Sequence, residues 1–173
     1  FYRRMMIPMW LLMKLIDNQI EILLPTKRIN RTNLETTIMA KILLGVTGSV
    51  AAIKVEELAT HLVNENHELR IVMTNHAAYF VSPAKLEAIC GKDSIFTDVN
   101  EWPNQLYSRE DKVLHIELRK WAELFIIAPL DANTLAKMAL GLADNCLTSI
   151  WRARDIATPV LLAPAMNTQM WQK

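Results

Sequence analysis

Hydrophobic residues along this chain form short runs that are separated by polar or glycine-containing segments. Four runs of six or seven residues stand out: KILLGV (41–46), ELRIVMT (68–74), LFIIAP (124–129) and PVLLAP (159–164). Continuous apolar runs of this length, ended by turn residues, are typical of strands that are buried on both faces. We therefore predict four strands, with SIFTDV (94–99) as a further short one.

Helical patterns lie between these runs. Residues 50–66 carry apolar side chains near helical spacing at Val50, Ile53, Leu58 and Leu62. A second helical stretch follows the 68–74 run in two pieces that Pro83 separates. Residues 131–153 predict a helix with a break near Gly141, whereas the polar segment 100–112 predicts an exposed loop. Strands that alternate with helices predict an α/β fold, a flavodoxin-like or Rossmann-like doubly wound parallel sheet in a single domain.

Composition and charge narrow the class of protein. Of the 173 residues, 51% are hydrophobic and 21% are charged, which is ordinary for a globular protein with a sizeable core. Residues 1–38 hold six basic and three acidic side chains, net +3, and residues 39–173 hold 13 and 15, net −2. The folded part is therefore not basic enough to predict binding to nucleic acid.

The first 38 residues have a different character from the rest. Their apolar stretch MMIPMWLLMKLI is interrupted by Pro8 and Lys14 and is shorter than the roughly 20 residues that a membrane span requires. We interpret residues 1–38 as a non-native or optional extension that is poorly ordered, and residues 39–173 as the domain. We predict no association with membranes.

Cysteine and histidine positions argue against a disulfide or a metal site. Cys90 and Cys146 lie in apolar surroundings without a CxxC pattern, so we predict free thiols in a reducing compartment, the cytoplasm. His61, His67 and His76 are scattered, and no metal-ligand spacing links them.

Three loops directly follow predicted strands: VTGSVA (46–51), APLDANT (128–134) and PAMNTQM (164–170). Ligands of parallel α/β sheets bind at the carboxyl ends of the strands, so we predict a site there. Gly48 permits close approach of a ligand, and Ser49 offers a hydroxyl and a helix N-cap. Neither GxGxxG nor a Walker lysine is present, which argues against NAD and ATP.

The DANT segment and His115 can each be interpreted in two ways. The DANT residues 131–134 open a helix, and helix capping explains one of these side chains but not all four, which leaves a polar ligand as the alternative. His115, in VLHIELRKW, is either a structural histidine or a general base, since imidazole titrates near neutrality.

Taken together, GVTGSVAAIK (45–54), the long segment from LHIELRKW to WRARD (114–155) and PAMNTQMW (164–171) resemble the homo-oligomeric flavin-containing cysteine decarboxylases. The resemblance runs from about Met39 to Lys173. It implies FMN as cofactor, a homotrimer with flavin sites between subunits, and FMN-dependent decarboxylation of 4′-phosphopantothenoylcysteine to 4′-phosphopantetheine in coenzyme A biosynthesis.

The resemblance also implies a role for individual residues. His115 corresponds to the family's catalytic base, Asn167 to the group that binds the substrate carboxylate, and Met170 to the wall of that pocket. In this family FMN oxidises the cysteine moiety to a thioaldehyde, which accepts electrons as carbon dioxide leaves and so becomes an enethiol. The positions that correspond to flavin-binding ones are Gly48, Ser49, Val50, Thr74, Phe80, Asp131, Ala132, Asn133, Thr134 and Ala165.

One departure and two alternatives accompany the resemblance. The family reduces the enethiol with a flap cysteine downstream of PAMN, and neither Cys90 nor Cys146 matches it, so we expect the C-terminal part to be truncated. A non-catalytic regulatory homologue, which binds a protein phosphatase or contributes to a mixed trimer, is the alternative function, although His115 and Asn167 are retained. The PAMN and LHIELRKW segments argue against a flavin prenyltransferase.

Overall fold

The computed structural model describes residues 39–172 apart from residues 104, 105 and 107, together with Lys14 and Asp17. The extension predicted over residues 1–38 therefore lies outside the described residues, these two excepted. Within the part of the chain that is described, no helix is long and apolar enough to cross a membrane.

Parallel strands form one sheet in the described part of the chain. Their order across the sheet is β3-β2-β1-β4-β5, and every neighbouring pair is parallel. This is the Rossmann order, and it confirms the predicted doubly wound sheet. The strands are β1 (Lys41–Val46), β2 (Glu68–Met73), β3 (Ile95–Phe96), β4 (Leu124–Leu130) and β5 (Val160–Pro164).

Helices connect the strands, and both predicted interruptions are confirmed. Pro83 starts the second helical piece after β2, and Gly141, at φ 74°, ends the first helix after β4 in the left-handed conformation that glycine favours. The helices are α1 (Val55–Asn64), α2 (Pro83–Cys90), α3 (Asp98–Glu101), α4 (Leu114–Trp121), α5 (Ala132–Leu140), α6 (Cys146–Ala153) and α7 (Thr168–Trp171), with 3-10 turns at Val50–Lys54 and Ala77–Tyr79.

The sheet separates two hydrophobic cores. Alternate residues of β1 point to opposite faces, so Leu44 packs in the core that contains Leu58 of α1, and Leu43 packs in the core that contains Leu118 of α4 and Leu147 of α6. Because both faces are covered, the central strands are apolar throughout, which is why their sequences lack polar alternation.

The helical segment after β1 differs from its predicted pattern. Val50 and Ile53, which were expected on the apolar face, are 43% and 53% exposed. The segment begins as a 3-10 helix, whose three residues per turn shift the buried face relative to an α-helix. Ala52 and Val55 are buried instead.

The short strand predicted over residues 94–99 is shorter in the structure. The strand contains Ile95 and Phe96, and α3 begins at Asp98, where a strand was expected to continue. The N–H of Thr97 donates to Oδ1 of Asn100, 2.8 Å away, in a capping box that starts the helix. The predicted exposed loop is correct for residues 108–112, whereas Glu101 at its beginning is helical and its side chain is buried.

Candidate functional site

The three predicted loops meet at one edge of the sheet. The chain leaves β1 toward β2 and leaves β4 toward β5, so the carboxyl ends of the adjacent strands β1 and β4 form the switch point of the fold. Ligands of doubly wound sheets bind in the crevice that opens at such a point. The loop after β5 lies beside the loop after β4 because these strands are paired.

Thr47 joins the ends of β1 and β4. Its fully buried side chain donates from Oγ1 to the carbonyl oxygen of Pro129, 2.8 Å away, and accepts from the N–H of Asp131 at 2.7 Å. Its own N–H donates to the same Pro129 oxygen at 3.2 Å. The sequence interpretation missed Thr47, although a polar residue directly after a buried strand was the signal.

Ser49 joins the loop after β1 to the loop after β5. Its Oγ donates to the carbonyl oxygen of Ala165 at 3.0 Å and accepts from the N–H of Ala51 at 3.4 Å, which confirms the predicted N-cap. The N–H of Ala165 donates in turn to the carbonyl oxygen of Leu130 at 2.9 Å. Two loops that are 116 residues apart are therefore held together by one hydroxyl.

Gly48 lies where a side chain has no room. A Cβ at this position would lie 2.5 Å from Cβ of His76 and 3.5 Å from Oδ2 of Asp131. The first distance is shorter than real Cβ contacts allow, so glycine is required for the loops after β1, β2 and β4 to approach one another. His76, which the sequence interpretation treated as one of several scattered histidines, belongs to this edge.

The DANT residues have distinct environments. Oδ1 of Asp131 accepts from the N–H of Thr134 at 2.6 Å and caps α5, and Thr134 is 1% exposed. Ala132 is partly exposed and Asn133 is exposed. Capping therefore accounts for Asp131 and Thr134, and Asn133 keeps a polar side chain that the cap does not use.

Thr74 and Phe80 follow β2 on the same edge. The N–H of Thr74 donates to the carbonyl oxygen of Val46 at 3.0 Å, whereas its Oγ1 is buried without a hydrogen-bond partner among the described residues. An unpaired buried hydroxyl costs about 1–3 kcal/mol, so a ligand atom that pairs with it is favoured. Phe80 is half-buried against the core and contacts Tyr79 edge-on.

His115 is held by a buried carboxylate. Its Nδ1 lies 2.5 Å from Oε1 of Glu101, and its backbone N–H donates to Oε2 of Glu101 at 2.9 Å. The side chain of Glu101 is 4% exposed and that of His115 is 24% exposed. The sequence interpretation found no carboxylate beside His115, because Glu101 was assigned to an exposed loop.

Cys146 lies next to the same carboxylate. Its thiol donates to Oε2 of Glu101 at 3.6 Å, and its N–H donates to Oδ1 of Asp98 at 2.8 Å. Burial and the neighbouring Glu101 carboxylate raise the pKa of the Cys146 thiol, and burial raises the pKa of Cys90 to about 11. Both are free thiols, as predicted, and neither is activated as a thiolate.

Asn167 caps the start of α7 with one end of its side-chain amide. Its Oδ1 accepts from the N–H of Gln169 at 2.9 Å, so the cap occupies the acceptor end of the exposed side chain. The other end of the amide is an NH2 group, which donates. Met170 and Trp171 are 58% and 60% exposed, so they present apolar surface beside Asn167 that the described part of the chain leaves open.

The site residues thus form two groups. The loop cluster consists of Thr47, Gly48, Ser49, Asp131 and Ala165, and the histidine cluster consists of Asp98, Glu101, His115 and Cys146. Among the described residues, no group of three or more His, Cys, Asp or Glu side chains is arranged to hold a metal ion.

A protein-family model described as Flavoprotein matches residues 30–173. Phosphopantothenoylcysteine decarboxylase of Mus musculus is 45% identical over 133 residues, and phosphopantothenoylcysteine decarboxylase HAL3a of Glycine max is 49% identical over 132 residues. Each alignment covers 76% of this chain. The chain spans 62% of the mouse protein's length and 60% of the soybean protein's length.

Solved structures show the same similarity. A cysteine-to-serine variant of PPC decarboxylase in complex with pantothenoylaminoethenethiol superposes with a TM-score of 0.70 at 44% identity, over 78% of this chain and 71% of that chain. The FMN-binding protein AtHal3 superposes with a TM-score of 0.69 at 45% identity, over 78% and 70%. On the evidence of the family model and these relatives, the chain belongs to the Flavoprotein family.

Proposed function

We propose that the loop cluster holds FMN. Two features of the structure fit such a ligand: Gly48 leaves the edge of the sheet open to close approach, and the buried hydroxyl of Thr74 lacks a partner among the described residues. AtHal3, which is 45% identical, is an FMN-binding protein by its description. The residues that would hold the flavin are Gly48, Ser49, Val50, Thr74, Phe80, Asp131, Ala132, Asn133, Thr134 and Ala165.

The activity we propose is decarboxylation of 4′-phosphopantothenoylcysteine to 4′-phosphopantetheine in coenzyme A biosynthesis. The observation that carries it is the meeting of the GSV, DANT and PAMN loops at one edge of the sheet, since Thr47 and Ser49 bond across them. The relatives named above support the substrate, and one was solved with pantothenoylaminoethenethiol, which its name describes as an enethiol.

His115 is the proposed general base. Bound FMN supplies the two-electron oxidation that gives the substrate an electron sink for loss of its carboxylate. A ring nitrogen of His115 would take the proton that the substrate loses in the oxidation step. A positioned base contributes about 10²–10⁴-fold to a rate.

Asn167 is the proposed donor to the substrate carboxylate. Its NH2 group is neutral, so it orients the carboxylate without the charge pairing that would stabilise that group against loss. Met170 forms an apolar wall beside it, and an apolar surrounding favours conversion of a charged carboxylate to neutral carbon dioxide.

We propose a homotrimer because the resemblance to the family implies one, with flavin sites between subunits. In the described part of the chain, the ring and the backbone N–H of His115 both contact Glu101, and neither contact reaches the loop cluster. A second subunit would bring its histidine cluster to the flavin edge of the first. We propose the cytoplasm as the compartment, because Cys90 and Cys146 are free thiols.

Mass spectrometry of 4′-phosphopantothenoylcysteine incubated with the purified, FMN-loaded chain tests this function. We expect loss of carbon dioxide, either alone or together with two hydrogens, at a rate that falls about 10²–10⁴-fold in His115→Asn. Unchanged substrate in the presence of bound flavin would contradict the decarboxylase and favour the regulatory homologue. A purified chain that retains no FMN would contradict the flavin site.

A further inference from the structure

Glu101 is a buried carboxylate without a role in the function proposed so far. Its side chain is 4% exposed. Capping of the nearby helix α4 does not explain this burial, because an exposed carboxylate caps a helix equally well. Burying a carboxylate is unfavourable unless donors surround it. The donors here are the ring and the backbone N–H of His115 and the thiol of Cys146.

The two carboxylate oxygens of Glu101 both contact His115, one at the ring and one at the backbone. Oε1 contacts Nδ1 of the His115 ring at 2.5 Å, and Oε2 accepts from the His115 backbone N–H at 2.9 Å. Because ring and backbone are held by the same rigid carboxylate, the ring is fixed about its side-chain torsions. A single contact to the ring would restrict that rotation less.

This contact also selects the tautomer. A carboxylate accepts hydrogen bonds and does not donate them, so Nδ1 carries the hydrogen and Nε2 has a free lone pair. In the catalytic triad of serine proteases, an aspartate bonded to the same ring nitrogen orients the histidine in this way. When Nε2 takes a proton, the ring becomes a cation and the Glu101 carboxylate lies beside the new charge.

The fold places Glu101 with two anchors on α3. The capping box of Thr97 and Asn100 starts the helix three residues before Glu101, and Oδ1 of Asp98 accepts from the N–H of Cys146 at 2.8 Å. The helix is thereby fastened to the first residue of α6, and Glu101 projects toward the first turn of α4, where His115 lies.

We propose that Glu101 is the positioning residue for His115 and holds its ring in the Nδ1–H form with Nε2 free. The catalytic part of this inference rests on the proposed function, whereas the tautomer does not. Cys146 completes the donor set of the carboxylate and takes no part in proton transfer.

Nitrogen-15 NMR of the FMN-loaded chain, labelled at histidine, tests the tautomer without substrate. The chain has four histidines, and the signal that disappears in His115→Asn identifies the ring. We expect wild-type Nδ1 to carry the hydrogen and Nε2 to lack it at neutral pH. A wild-type ring with the hydrogen on Nε2 would overturn the proposal without any further variant.

Glu101→Gln keeps the shape and removes the charge, and its control is Glu117→Gln, the same change at an exposed position of α4. We expect Glu101→Gln to populate both tautomers and to lower the rate of decarboxylation by about 10²-fold, with KM nearly unchanged. The control should keep the wild-type tautomer and rate. If Glu101→Gln shows the wild-type tautomer and the wild-type rate of decarboxylation, the proposal is wrong.

Glu101→Asp distinguishes a positioning role from a purely structural role. It also replaces Glu101→Gln as the test if that variant does not fold. The shorter side chain keeps the charge but cannot reach both nitrogens, so we expect a partial shift of tautomer and a smaller loss of rate. Stability that falls while tautomer and rate persist would make Glu101 merely structural. A wild-type chain that shows the Nδ1–H form without decarboxylating would reject the proposed function and leave the tautomer inference standing.

Discussion

The loop cluster and the histidine cluster hold their functional groups by different means. In the loop cluster, Thr47 and Ser49 contact backbone groups of residues 82 to 116 positions away, and the side chains involved are small or absent. In the histidine cluster, one carboxylate contacts a ring 14 positions away and a thiol 45 positions away. The first is assembled by pairing of the strands, and the second by packing of α3 against α4 and α6.

This difference predicts different sensitivities. The loop cluster depends on shape, because Gly48 has no room for a single added carbon. The histidine cluster depends on charge and hydrogen-bond direction, because Glu101 has to accept from both donors of His115. Substitutions that change one property and spare the other should therefore affect the two clusters separately.

His115→Asn should have the largest effect. We expect the rate of substrate oxidation to fall about 10²–10⁴-fold, since the base is removed, with FMN still bound because the loop cluster is intact. Single-turnover kinetics and the flavin content of the purified variant measure the two properties. His61→Asn on α1 is the control, and wild-type turnover by His115→Asn would refute the base assignment.

Asn167→Asp should weaken substrate binding. Aspartate is also a good N-cap, so α7 is expected to persist, but its charge repels the substrate carboxylate. Loss of a hydrogen bond to a charged group is worth about 1.5–3 kcal/mol, or about 10–150-fold in apparent affinity. Gln169→Glu places the same charge two residues further along α7 as a control, and equal affinities of variant and wild type would count against carboxylate binding.

Gly48→Ala should damage the loop cluster and leave the histidine cluster intact. The new carbon clashes with Cβ of His76, so we expect the free energy of unfolding to fall by about 1–3 kcal/mol and FMN to be lost. Urea unfolding and flavin absorbance measure these effects, and the His115 tautomer should be unchanged. Adding His76→Gly removes the clashing atom and should restore FMN binding. A double variant as defective as Gly48→Ala would exclude the clash as the cause.

Acid should lower the free energy of unfolding slightly, through a histidine at the amino ends of the strands, away from both clusters. Burial lowers the pKa of His67 from 6.5, and its Nδ1 accepts from the N–H of Ala40 at 3.2 Å. The folded state therefore binds this proton less readily than the unfolded state, so the stabilisation present above pH 6.5 is lost as pH falls through the lowered pKa.

Urea midpoints at about pH 8 and about pH 5 measure this dependence, and we expect the lower midpoint at about pH 5. His67→Asn retains an acceptor for Ala40 and removes the titration, so its midpoint should change less between the two pH values. An equal change in the variant and the wild type would assign the dependence to other groups.

Local patterns predicted much of the fold and part of the site. The run from Lys41 to Val46 matches β1 in both bounds, and Gly141 ends a helix as expected. A strand that is buried on both faces has an apolar residue at nearly every position, and a left-handed helix end favours glycine. Both features can therefore be recognised from a few neighbouring residues. Val50 and Ile53 were placed on the wrong face, because the sequence pattern does not distinguish a 3-10 start from an α-helix.

The sequence alone determined the strands, the helices that follow β1, β2 and β4, and the loops that follow the strands, since each depends on residues close together in the chain. The tertiary structure decided which side chains meet: Thr47 with Pro129 and Asp131, and Glu101 with His115. The order of strands brings the first set together, and the packing of α3 buries a glutamate that stands in a polar segment. Burial and partnership are properties of the whole fold, so no local pattern expresses them.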